Sequence, residues 1–323
     1  MNSDGLIFAR ILDGSGGGKK IDWEGLKKWT PEMGLLWVHL DYTSKDVQQW
    51  LNEESGLNPL TCEILMEEDT RPRVVTSKDG LFLILRGVNC NPGSDSEDMV
   101  ALRMNFNETR IITMRQRRVM ATDDINKAIE EGEGPTRAGD FLIMTIERMV
   151  DRMGDVIAEV DEGVDELEDT VLSAESYELR PKISKLRRQG ISLRRYIAPQ
   201  RDVLARLLHE NIPWLTEKDK LRLRETAERT ARFVEDIDSA RDRAAIIQEE
   251  LNNRLSEQMN KAMYLLSIVA AIFLPLGLLT GLLGINVGGI PGTESHLAFA
   301  IVCLTLVIIA VFLLSIFRRM KWL

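Results

Sequence analysis

Histidine and cysteine are scarce in this chain, three of each in 323 residues. Cys62, Cys90 and Cys303 are scattered, so neither a disulfide framework nor a paired-cysteine metal site can be drawn, and a reducing cytosol fits. His39, His209 and His296 lie far apart, whereas a tightly held zinc needs clustered Cys, His and carboxylate ligands; a structural zinc site is not expected. No Ser/His/Asp set or carboxylate pair stands out as catalytic machinery. The glycine cluster Asp13 to Lys20 fails as a phosphate loop, with Asp13 at the first glycine position and Lys20 at the hydroxyl position, and reads as a flexible turn. Neither an enzyme nor a tightly bound cofactor is expected. The N-terminus, MNSDGLIFARILDGSGGGKK, has no apolar signal region, so the part ahead of the apolar segments is expected to stay inside the cell.

What the chain does have is two uncharged apolar runs near its C-terminus. Met263 to Leu283 and Leu297 to Phe317 each hold about 21 residues, enough to cross a hydrocarbon core of roughly 30 Å. Arg254 and Lys261 precede the first run, and Arg318, Arg319 and Lys321 follow the second. Val287 to His296 between the runs has no lysine or arginine, so both termini are expected on the cytoplasmic side.

The remainder is a folded body by composition, at 44% hydrophobic and 28% charged for the whole chain. Formal net charge is −9, and Arg318, Arg319 and Lys321 against Glu294 make the tail positive, so the part ahead of it carries −11. Such a body repels nucleic acid and attracts cations.

Up to roughly Gly134 short β-rich runs alternate with helices. Trp37–Asp41, Leu81–Arg86, Val100–Met104 and Thr109–Thr113 read as strands, and Asp46–Glu53 and Pro59–Glu68 as helices, giving an α+β domain of the α/β/α sandwich type. After Gly139 the pattern is helical. An acidic stretch, Asp155 to Asp169, and a basic one, Arg180 to Arg195, read as two helices of a hairpin that pair opposite charges, or else as a cation-attracting regulatory surface.

Thr216 reads as an N-cap, with Asp219 as a short stand-in for the Glu of a capping box. From there no proline or glycine occurs until Pro275 and Gly277, so one helix of about 65 residues, on the order of 100 Å, runs from the cytosol into the bilayer. Its apolar stripe (Leu221, Ala227, Ala231, Val234, Ile237, Ala244, Ile247, Leu251, Leu255) needs partners, and an oligomer is expected.

One face of the first apolar run is mostly small and in places polar: Asn260, Met263, Ser267, Ala270, Leu274, Gly277 and Gly281 recur at intervals of three and four. Gly277 and Gly281 form a GxxxG pair suited to close helix packing, and the same face can line a pore shared by several subunits; the two readings are compatible. Pro275 removes a backbone donor and is a candidate hinge or a passive kink. Asn286 closes the helix at its negative dipole end, either as an ordinary cap or as one amide of a ring that accepts from the water shell of a divalent ion. Glu294 and His296 form a loose ring at the mouth or are ordinary loop residues.

Ile272-Phe273-Leu274-Pro275-Leu276 at the end of a long stalk helix, then Gly284-Ile285-Asn286, a short loop, a second apolar run and a basic tail follow an acidic cytosolic domain. Taken in that order along essentially the whole chain, these parts resemble the CorA-type divalent cation transporter family. That family's signature is Gly-Met-Asn, matched at Gly284, Ile285 and Asn286 with isoleucine in the middle. Its magnesium branch follows the Asn with an acidic Met-Pro-Glu-Leu-type loop, whereas this chain has Val287-Gly288-Gly289-Ile290-Pro291-Gly292. This loop, with Thr70-Arg71-Pro72-Arg73-Val74, Arg194 to Val203 and Lys321-Trp322-Leu323, looks like the zinc-transporting ZntB branch.

The resemblance implies a homopentameric funnel in the bacterial inner membrane. The first span, about 263–283, lines the pore, with Gly284, Ile285 and Asn286 as selectivity filter and Asn286 as a transient metal ligand. The family's pore positions fall on Asn260, Met263, Leu274 and Gly277; where this chain has Gly277, better-known members carry Thr. The implied cargo is Zn2+ or another divalent cation, with proton symport suggested by the resemblance alone. The expected organisation is a cytosolic α/β domain at 1–138, a helical hairpin and stalk at 139–260, and a membrane domain at 261–323 with outer loop 284–296 and second span 297–317. A magnesium or cobalt channel of the same family, or a non-transporting membrane-tethered scaffold, are the alternatives.

Overall fold

Leu81–Leu85 is apolar at every position, and that is the mark of a strand covered on both faces. The computed structural model, which describes residues 5–68, 70–77, 80–171, 176–285 and 296–319 (side chains of 176–178 excepted), places this segment inside a seven-stranded sheet. The strands are β1 (Leu6–Leu12), β2 (Gly18–Ile21), β3 (Leu35–Asp41), β4 (Arg73–Ser77), β5 (Gly80–Gly87), β6 (Val100–Phe106) and β7 (Arg110–Arg115), in the order β2-β1-β3-β7-β6-β5-β4. Only β3 and β7 run parallel; the other neighbours are antiparallel.

Because successive side chains alternate between faces, each inner strand feeds two cores. Trp37, Leu83, Leu85, Met104 and Ile111 join one core with α4 (Met120–Glu131), α5 (Ala138–Thr170), the end of α6 (Ser176–His209) and the start of α7 (Glu217–Leu283). Leu36, Val38, Ile84, Ile112 and Met114 join the other, with α1 (Trp23–Lys28), α2 (Lys45–Glu53) and α3 (Pro59–Met66). Helices therefore cover both sheet faces, as an α/β/α sandwich requires. The last helix is α8 (Ala298–Arg319).

All four expected strands and both expected helices of the N-terminal part are present. Three strands and two helices were not anticipated there: β1, β2 and β4, which are edge or near-edge strands, the six-residue α1, and the twelve-residue α4. The glycine cluster makes the β1–β2 turn, where Asp13 Oδ1 accepts from the amides of Ser15 (2.8 Å) and Gly17 (3.0 Å), and Gly14 and Gly16 take φ of 76° and 103°.

Two expectations are corrected. The acidic stretch of α5 does not pair with basic α6 in the described ion pairs: Asp161, Asp165 and Glu168 all converge on Arg243 of α7, whose fork of donors can serve several carboxylates. Those carboxylates hold the Arg243 guanidinium's pKa up, with Glu168 the largest cause. The stripe of α7 also finds its partners inside its own chain: Ala227, Val234, Ile237, Ala244, Ile247 and Leu251 are buried without any second copy, while Leu221 is 63% exposed. That stripe is consequently no argument for an oligomer.

The chain divides into two compact units, 1–248 and 249–323.

Candidate functional site

Among the described residues, two helices are long and apolar enough to cross a membrane, the C-terminal part of α7 and α8. Within α7 the helix is uninterrupted to Leu283, passing through Pro275. Proline there removes one donor, so the carbonyl of Ala271 loses its partner four residues on.

All seven residues of the small and polar face are exposed: Asn260, Met263, Ser267, Ala270, Leu274, Gly277 and Gly281. Ile268 is buried, and Ala271, Ile272, Pro275, Leu276 and Leu279 are half-covered. At 100° per residue that second set lies on the opposite side of the helix from the first. The rest of the span is exposed as well, at Leu265, Leu266, Phe273 and Leu278, so this face is set apart by its small and polar residues and not by its exposure. At Gly277 and Gly281 an added Cβ would meet no atom within 4 Å among the described residues. Packing inside one chain therefore does not require either glycine.

The polar groups of this face are arranged as an apolar solvent demands. Ser267 Oγ donates to the Met263 carbonyl at 2.9 Å, and off this face Thr280 Oγ1 donates to the Gly277 carbonyl at 3.1 Å, which leaves the hydroxyl lone pairs as acceptors. The helix is closed by the amide of Gly284, which donates to Thr280 O (2.9 Å) and Gly281 O (3.2 Å). Ile285 is 50% exposed beyond it. Asn286 and Glu294 lie outside the described residues, as do Val287 to Gly292 and Lys321-Trp322-Leu323. His296 is exposed in the turn ahead of α8.

Ahead of the span the helix carries Glu257 and Lys261, paired at 2.7 Å, and Glu250 and Arg254, paired at 2.8 Å, both at i,i+4. The hydrogen bond to Lys261 is the main cause that lowers the Glu257 pKa.

In the first unit, the side of α7 turned away from the core exposes Glu225, Glu228, Glu235 and Asp242, interleaved with Arg224 and Arg232, and Asp242 is paired with Arg241 at 3.1 Å. Asp236 stands beside them, and burial together with the nearby charges of Asp161 and Glu235 raises its pKa. Sequence reasoning missed this acidic column; its signal was a repeat of three and four in carboxylates where an apolar repeat was being sought. Among the described residues, no group of three or more His, Cys, Asp or Glu side chains is placed to hold a metal ion. His39 is wholly buried, His209 is exposed at the end of α6, and Glu210 bonds Thr76 Oγ1 at 2.7 Å.

A family model described as "CorA-like Mg2+ transporter protein" matches residues 32–319. The chain is 37% identical over 327 residues to the divalent cation transporter CmaX of Pseudomonas aeruginosa, covering 99% of this chain and 97% of that protein. It is also 37% identical over 318 residues to the zinc transport protein ZntB of Klebsiella pneumoniae subsp. pneumoniae, covering 98% and 96%. Among solved structures, that of full-length CmaX superposes with a TM-score of 0.85 at 35% identity, covering all of this chain and 99% of the other.

Proposed function

The chain belongs to the CorA family of divalent cation transporters, and from that premise we propose that it carries zinc across the inner membrane of a bacterium. The pore is shared by several copies, five by the family resemblance, and each copy contributes the Asn260-to-Gly281 face of α7. The observation that supports this most is composition within the span: this side carries small residues, one hydroxyl and an amide at Asn260, Ser267, Ala270, Gly277 and Gly281, whereas the exposed remainder is large and apolar, as at Leu265, Leu266, Phe273 and Leu278. Such a side suits close packing between copies around a water-filled axis.

Gly284, Ile285 and Asn286 form the outer filter in this reading. A ring of amides accepts hydrogen bonds from the hydration shell of a divalent ion and holds it without stripping that shell. Weak holding is what transport requires, since a tetrahedral cage of the structural-zinc kind would retain its ion. Pro275 serves as hinge. The net negative charge of the part ahead of the spans raises the local concentration of cations at the cytoplasmic part. Domain limits at 138 and 260, and cytoplasmic N- and C-termini, belong to the same proposal.

Zinc is favoured by the ZntB relatives and by the Gly-Gly-Ile-Pro-Gly loop. A broader divalent range is the second reading, favoured by equal identity to the protein named CmaX. Purified protein in liposomes, loaded with a zinc-sensitive dye and run with and without an imposed pH gradient, tests both. Zinc entry accelerated by an inward proton gradient is expected. Equal competition by magnesium or cobalt favours the broader range, and absence of metal flux favours a scaffold.

A further inference from the structure

Helices α1 and α2 meet over a cavity of about 340 Å3 lined by Trp23, Lys27, Asp46, Gln49, Trp50 and Glu54. The two indoles stand at 60° with ring centroids 5.9 Å apart, so they form two walls of a corner and not a stack. Trp50 is nearly buried and fixes one wall, while Trp23 is half-exposed at the start of α1. Lys27 Nζ reaches Glu54 Oε1 at 3.2 Å and neutralises it. Asp46 is exposed and has no hydrogen bond or ion pair among the described residues. The lining thus holds two carboxylates against one ammonium and carries one negative charge in excess.

Indole faces attract cations through the ring quadrupole, and the attraction grows as the cation is desolvated. A hydrated inorganic ion gains little here, because removing its water shell costs more than two indoles return. A cation with N–H groups would need acceptors, and with Lys27 already on Glu54 the lining leaves chiefly Asp46 and the Gln49 carbonyl. We propose that this corner binds a small quaternary ammonium, its methyl groups against Trp23 and Trp50 and its charge balanced by Asp46. The site lies in the first unit and stands independently of the transport reading.

Calorimetric titration of the full-length protein with tetramethylammonium chloride, against sodium chloride at equal ionic strength, tests it. Saturable heat is expected with the ammonium salt alone. Trp23→Leu and Asp46→Asn should each weaken binding about tenfold, the range that cation–π and charge contacts supply. Lys27→Met removes the resident cation and releases Glu54, so it should tighten binding, a change of opposite sign that a merely structural role for the pocket does not produce. The proposal is overturned by heat no greater than that of sodium chloride, by binding indifferent to Trp23→Leu and Asp46→Asn, or by a Lys27→Met variant that binds more weakly.

Discussion

Thr216 and Asp219 cap α7 reciprocally: Asp219 Oδ2 accepts from the Thr216 amide at 2.9 Å and from its hydroxyl at 2.7 Å, while the Asp219 amide donates back to Thr216 Oγ1 at 3.3 Å. Arg137, at the start of α5, adds two donors at 3.2 and 3.3 Å. Gly139 makes room, since a Cβ there would stand 2.9 Å from Asp219 Oδ2 and 3.0 Å from the Trp214 carbonyl. Asp219→Ala should lower stability by about 1–2 kcal/mol, the usual loss for an N-terminal cap with a partner left behind. Burial pushes the Asp219 pKa up, but the hydrogen bonds from Thr216 and Arg137 outweigh it, and the net direction is down. The stability it supplies is therefore full above the unfolded carboxylate value of about 4 and is lost as pH falls toward the lower folded value. Denaturant titrations of wild type and Asp219→Asn between pH 5 and pH 2.5, on the order of the carboxylate range, should converge at the acid end.

His39 gives a second acid-sensitive element at higher pH. Its Nδ1 lies 2.7 Å from Thr113 Oγ1, the same hydroxyl that accepts from Trp37 Nε1 at 2.9 Å, and its Nε2 lies 3.4 Å from Thr122 Oγ1. Burial, and then the charge of Arg115, hold its pKa well below the ordinary value. Unfolding lets the ring take a proton, so stability is full above about pH 6.5 and falls as pH drops below that value. His39→Gln should flatten the slope between about pH 6.5 and pH 5 measured by urea unfolding.

A Cβ added at Gly277 or Gly281 would meet nothing within 4 Å among the described residues, so the consequence of filling them is specific. Gly277→Leu and Gly281→Leu should leave the thermal unfolding of the first unit unchanged. Zinc flux in liposomes should fall by about tenfold or more, through a blocked axis or disturbed close packing between copies. Unchanged flux in both variants means the face points to lipid.

Asn286→Ala removes the proposed filter amide while leaving the rest of the chain intact. Zinc flux should be lost, or discrimination between zinc and magnesium should drop by about tenfold, as removal of a coordinating ring predicts. Flux and metal preference equal to wild type would refute the mouth filter.

Sequence alone determined the long helix and the two apolar runs, because a missing proline or glycine and a missing charge act locally, on backbone geometry and on transfer to lipid. The cap at Thr216 and Asp219 was legible for the same reason: its partners lie three residues apart. Inner strands were legible from continuous apolar runs, whereas edge strands β2 and β4 were not, since a strand covered on one side has a thinner pattern. The grip of Arg243 on Asp161, Asp165 and Glu168 was decided only by tertiary structure, as those carboxylates lie about 80 positions away and a charge run does not name its partner. The same holds for the stripe of α7, whose burial depends on how the rest of its own chain folds back against it. Periodicity tells that a face will be covered; which residues cover it is a property of the packed chain.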